Sequence, residues 1–292
     1  MKILLTYILW VILLFAVHLR AMAQGSMADT IVSQLHQHAM LRPSFELGQL
    51  DVQAYTYGLS HCQNQGIAGR LLPHLLPFQA NPSQDVAFEA ISHVQFQWPG
   101  DMHLNVAALK ANQPRKARTV MRELYRALLP IYAARRHKDY GSNKSYVLPF
   151  YDEGPLRYTY RLQPMPDTLL QALTDAGLQP DTSRLCCVRF DPRRRHHTLL
   201  SGCLLVDTVS THVVGIDCEG HIDMATFRSQ VLFSPDSLHA GLFIPHSSHI
   251  DIDYRYMGTQ ARNSYQTRFR YLSFTPLDSL DLRRISHDLT PY

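Results

Sequence analysis

In the run 249–255, His249, Asp251 and Asp253 alternate with apolar or bulky residues, and in 216–223 His221 and Asp223 do the same. Alternate residues of a strand share a face, so each run would present imidazole and carboxylate together, the ligand types that hold zinc. The spacing argues the other way. The chain has 16 histidines but neither an HExxH nor a paired CxxC pattern, and these groups are read as ordinary polar strand faces. His36 and His38 lie on a predicted helix, where residues two apart do not face each other. No GxSxG elbow, Walker loop or GxGxxG loop occurs. His61 and Cys62 are adjacent in sequence, whereas a Cys–His couple must be brought together by the fold. Asp152 and Glu153 precede Gly154 and read as a turn. No catalytic residue, metal ligand or cofactor is assigned.

Cationic residues gather in two places. The stretch RFDPRRRHHTLLSGCLLVDT, residues 189–208, is the densest cluster of charge and imidazole. Its flanks read as strands and Asp191-Pro192 opens a turn, so Arg193, Arg194, Arg195, His196 and His197 fall on a hairpin tip, where solvated charge costs little. A binding patch for anionic headgroups is the competing reading. The helix predicted from Pro114 carries Arg115, Arg118, Arg122 and Arg126 at spacings of three and four, with Glu123 as the nearby counter-charge. A solvated face again competes with contact to anionic lipid or an acidic partner.

The N-terminus bears on compartment. Residues 3–17 are almost wholly apolar, about 15 residues against the roughly 20 that span a bilayer. Ala21-Met22-Ala23 follows as a small-x-small cleavage pattern. Residues 1–23 are therefore expected to be an export signal, and loss of Lys2 and Arg20 takes the net charge from +4 to +2. That balance makes no case for nucleic acid, and no other segment is apolar enough to span a membrane as a helix. Five cysteines, Cys62, Cys186, Cys187, Cys203 and Cys218, are too few for a disulfide scaffold in a chain of this length. A disulfide from Cys186 or Cys187 to Cys203 or Cys218 and a set of buried free thiols both remain open.

The elements that would position these groups are mostly strands. A helix is predicted over 28–40, with Asp29 as N-cap and Ile31, Val32, Leu35 and Ala39 at helical spacing. A strand follows over 51–59. The clearest period-two signal is a hairpin over 85–110 around the Pro99-Gly100-Asp101 turn. Val86, Phe88, Val94, Phe96, Trp98, Met102, Leu104 and Val106 share its apolar face. A helix over 114–137 comes next, its stripe formed by Val120, Leu124, Leu128, Ile131 and Tyr132 and kinked at Pro130. From 157 to 274 the chain reads as a strand meander, with one short helix near 167–176 that stops at Gly177. Acidic and basic faces of these strands are expected to pair across the sheet. The fold class is α+β: a curved, mostly antiparallel sheet, about ten strands, with a few helices against its concave face, in one domain over 24–292.

That order of elements resembles the half-barrel of LolA/LolB-type periplasmic lipoprotein carriers, most locally in GCLLVDTVSTHVVGIDCEG, residues 202–220, where Asp207 to Thr211 turns one strand into the next. The segments 28–58, YTYRL at 158–162 and VRFDPRRR at 188–195 also resemble the middle region of large Gram-negative cell-envelope proteins of unassigned function. Those carry a carboxypeptidase-regulatory-like domain before this region and a membrane barrel after it, so the likeness implies a free-standing exported version. It supplies no enzymatic motif. It implies an exported, non-enzymatic periplasmic or surface protein that binds a lipid, acyl chain or other apolar ligand on the concave face. The lining residues expected are Val86, Phe88, Val94, Phe96, Trp98, Met102, Leu104, Val106, Ile250 and Ile252, unless these simply pack the core beneath the helices. The alternatives are a scaffold docking to an outer-membrane partner and, behind it, a metal-dependent hydrolase.

Overall fold

The computed structural model describes residues 27–37, 49–71, 85–97, 101–128, 136–138, 145–151, 153–222, 225–235 and 243–275. The expected export signal lies outside them, as do Trp98, Ile131, Tyr132 and Asp223.

Two-residue periodicity becomes a sheet because each strand offers one apolar row to bury. Strand β1 (Gln49–Asn64) shows this most regularly, with Leu50, Val52, Ala54, Thr56, Ser60 and Cys62 all turned inward. It pairs with β2 (Val86–Gln97), which pairs with β3 (Asp101–Ala111). The helices between strands are α1 (27–37), α2 (Gly66–Leu71), α3 (Pro114–Leu128), α4 (Gly154–Arg157) and α5 (Asp167–Asp175). Two short strands, β4 (Arg136–Lys138) and β5 (Ser145–Val147), pair with each other, and Val147 makes an isolated parallel bridge to Leu199. The meander then runs through β6 (Tyr158–Gln163), β7 (Leu185–Pro192), β8 (Ser201–Asp207), β9 (His212–Ile222), β10 (Ala225–Pro235), β11 (Phe243–Tyr256) and β12 (Thr259–Thr275).

The ten strands of the main sheet lie in the order β3-β2-β1-β12-β11-β10-β9-β8-β7-β6, every neighbouring pair antiparallel, with β3 and β6 as open edges. Turn chemistry explains the sharp reversals. Asp207 Oδ1 accepts the amides of Val209 (2.8 Å) and Ser210 (3.1 Å) between β8 and β9. Met257 (φ 46°) and Gly258 (φ 76°) both take positive φ between β11 and β12, as a tight primed hairpin turn requires. The long-range step joins β1 to β12, from Gln49 opposite Thr275 to Asn64 opposite Gln260.

Helix α1 buries Ala28, Ile31, Val32 and Leu35, and α3 buries Ala117, Met121, Leu124, Tyr125 and Leu128. Both lie on the inner face, where each large apolar side chain withdrawn from water stabilises by about 1.5–3 kcal/mol. The segment 146–151 joins them: Tyr146 packs edge-on against Phe227 (5.3 Å), and Tyr158 and Tyr160 donate to the carbonyls of Val147 and Pro149, each at 2.6 Å. Helix α5 takes the opposite face. Its Leu169 and Leu173 are buried, and Asp175 O accepts from Arg268, an outward-facing residue of β12.

Two boundaries differ from the sequence reading. The helix predicted to reach 137 is observed to Leu128, and 136–138 is strand instead; Pro130 has no amide to donate and disfavours helix before it. Helix α1 already includes Met27, so Asp29 is inside it and is not its cap.

Candidate functional site

The described members of the predicted apolar set lie on one face. Register places Leu104 opposite Val94, Met102 opposite Phe96 and Val106 opposite Ser92. A second row crosses four strands, Ile250 to Tyr265 to Gly58 to Phe88. Gly58 is required there, because a Cβ would enter the Phe88 ring, which packs 6.4 Å from Tyr265. Val86, Phe88, Val94, Ile250 and Ile252 are buried, whereas Met102, Leu104 and Val106 on edge strand β3 are half-buried against the core. Ile250 and Ile252 stand on β11, separated from β2 by β1 and β12, so the described members of the set form two groups. Phe96 is in β2 by its backbone, and its side chain, like Trp98, lies outside the described residues.

Between the apolar groups runs a polar band that sequence reasoning missed. Thr56 Oγ1 and the Tyr125 hydroxyl are 2.7 Å apart, Thr56 is 3.3 Å from Thr267, and Tyr125 donates to Ser92 at 3.4 Å. Ser92 reaches the Met121 sulfur at 3.7 Å, and Ser60 donates to Asn263. Burial pushes the Tyr125 and Tyr265 phenols above their ordinary range. These bonds tie α3 to the floor. They join hydroxyls to an amide and a thioether, with no imidazole or carboxylate to activate a nucleophile. No sequence signal marks them, since Ser and Thr on an alternating strand fit either face.

A groove of about 540 Å³ opens on the outer face along α5, between Asp167, Thr168, Gln171 and Asp175 and the strand residues Arg228, Gln230, His249 and Asp251. Here the expected cross-strand pairing appears. Arg228, on β10, forks onto the nearly buried Asp217 of β9 (2.9 and 2.6 Å), which raises its own guanidinium pKa. Arg262 approaches Asp253 at 4.0 Å. His249 lies 3.5 Å from Asp251 and 3.1 Å from Ser264. Among the described residues no three His, Cys, Asp or Glu converge as a metal site would need. His61 pairs with Asp85 at 2.6 Å while Cys62 turns to the other face, so that couple does not form.

The arginine cluster occupies the β7–β8 connection, as read from sequence. Arg193 is held by its amide to Arg157 O (2.9 Å) and its Nε to Tyr158 O (2.8 Å), while Arg194, Arg195 and the stacked His196–His197 pair (4.2 Å) are exposed. On α3, Arg115, Arg118 and Arg122 are exposed too. No helix among the described residues is long and apolar enough to cross a membrane.

Neither a family model nor a curated protein matches this chain. A solved structure from Vibrio parahaemolyticus, of a domain provisionally named for outer membrane lipoprotein sorting, aligns with 90% of this chain and 98% of its own, at 8% identity and a TM-score of 0.29. So distant a superposition carries no argument about ligand or family, and the fold rests on its own strand order.

Proposed function

We propose that this chain is a non-enzymatic, exported binder of an acyl chain or similar apolar ligand, held on the inner face where α3 meets the edge strand β3. The observation that carries the reading is a gradient of burial. Val94 and Leu124 are closed off, while Met102, Leu104, Val106 and Leu109 on β3 and Val120 on α3 are half-buried on the same layer. An apolar row left half-open beside a helix is a seam an alkyl chain can enter without breaking a strand pair. The polar band beneath, anchored by Tyr125, keeps α3 in place while that seam opens.

Leu104→Arg tests it. The site is half-exposed, so a long side chain can reach water there, and the variant should fold. The full chain, produced with export, is analysed by native mass spectrometry and lipid extraction. The expected result is a bound acyl-chain mass in the parent and none in Leu104→Arg at an unchanged circular dichroism spectrum. A parent with no bound mass refutes the reading.

One observation favours a second reading, a scaffold docking to an envelope partner. Tyr55, Tyr57 and Ile91 are each about two-fifths exposed on the outer face, with Arg268 opposite Tyr55 in register. That reading predicts an apo mass and a partner that crosslinks through Tyr55 or Tyr57.

A further inference from the structure

Register separates the four bridges open to the cysteines of β7, β8 and β9. Cys187 stands opposite Leu205, Arg189 opposite Cys203, and Cys203 opposite Asp217. Opposed residues of an antiparallel pair share a face, so Cys187 and Cys203 lie on the outer face as diagonal neighbours. Cys186 stands opposite Val206 and Cys218 opposite Gly202, both inward. Those two are four residues apart along β8, roughly 13 Å, far beyond any disulfide. A mixed pair would join opposite faces of the sheet.

Both thiols are buried, and Gln163 Nε2 donates to Cys187 Sγ at 3.4 Å. The two thiols perturb each other: Cys203 lowers the Cys187 pKa, and Cys187 together with burial raises that of Cys203. All five cysteines are free in this structure.

We propose that Cys187 and Cys203 are an oxidation site, joined in the oxidised protein by a cross-strand disulfide that staples β7 to β8 on the outer face. Two thiols give up two protons and two electrons. The electrons pass to a small disulfide donor of the glutathione class, whose S–S bond breaks to two thiols as the new one forms. Diagonal neighbours stand about 7–8 Å apart at Cα, slightly beyond the ordinary disulfide span, so closure shortens that diagonal by about an ångström through a local shift of the backbone. Burial of both thiols places the reaction during folding, before they are closed off from the oxidant.

The test refolds the full reduced chain in mixed oxidised and reduced glutathione, alkylates the remaining thiols and maps the peptides. One bridge joining residues 187 and 203 is expected, with Cys62, Cys186 and Cys218 alkylated. Cys186→Ala and Cys218→Ala should keep the bridge and Cys187→Ala should lose it. Closing so short a loop should raise Tm by about 6–12 °C over the reduced protein. Five alkylated cysteines in a chain with folded circular dichroism, or a bridge through residue 62, 186 or 218, overturns the proposal.

Discussion

Removing a single oxygen from Tyr125 probes the joint between α3 and the sheet. The ring is fully buried and packs edge-on against Phe269 at 6.1 Å. Phenylalanine keeps that contact, so Tyr125→Phe deletes only the hydroxyl. Thr56 loses its 2.7 Å partner and keeps Thr267 at 3.3 Å, while Ser92 keeps the Met121 sulfur. One good hydrogen bond is worth about 1 kcal/mol net, and part of the desolvation of Thr56 is left uncompensated, so a loss of about 1–2 kcal/mol is expected. Tm should fall by about 3–6 °C for a chain of this size. Urea titration followed by circular dichroism should show a lower midpoint at an unchanged slope. An unchanged midpoint would refute the reasoning, because Tyr125 would then exchange its partners for water at no cost and α3 would not be fixed to the floor. A changed slope would mean that the substitution had altered the compactness of one state.

Two further outcomes follow from burial. Burial raises the phenol pKa of Tyr125, Tyr158, Tyr160 and Tyr265. Unfolded tyrosine titrates near 10, so above about pH 10 the unfolded chain sheds protons that the fold retains, and stability should fall as pH rises from there; tyrosinate absorbance reaching the full amplitude of all 15 tyrosines before unfolding would contradict this, and Tyr158→Phe should flatten the slope. At Gly202 a Cβ would run into the Asp217 carbonyl oxygen and sit 2.7 Å from Cys218 Cα, both backbone, so Gly202→Ala should cost about 2–3 kcal/mol by forcing β8 from β9, and a thermal melt unchanged from the parent would show the strands spread freely.

Much of this architecture was legible in the sequence because strand periodicity is local. Alternation alone puts Val86, Phe88 and Val94 on one face, Gly177 marks the end of α5, which it closes at φ 75°, and the turn chemistry of Asp191-Pro192 puts the arginine run on a tip between two strands, since each signal lies within a few residues of its cause. The hairpin at Met257-Gly258 has little local signature, because one glycine within a long alternating stretch is a weak turn signal beside Pro-Gly-Asp. The helix end was overrun by the same logic: the apolar stripe runs on in sequence to Ile131 and Tyr132, whereas 136–138 is strand.

By itself, then, the sequence determined which residues prefer burial, that they alternate, and that no recognised catalytic spacing accompanies them. What only tertiary structure decided is which rows become neighbours. Pairing β1 with β12 brings Thr56 beside Thr267, 211 positions away, and the register of β7 on β8 sets Cys187 rather than Cys186 on the same face as Cys203, diagonal to it. A shift of one residue would reverse both outcomes by turning every side chain to the other face. Register depends on the summed packing of all ten strands, α3 and α5, and no local run of residues encodes that sum.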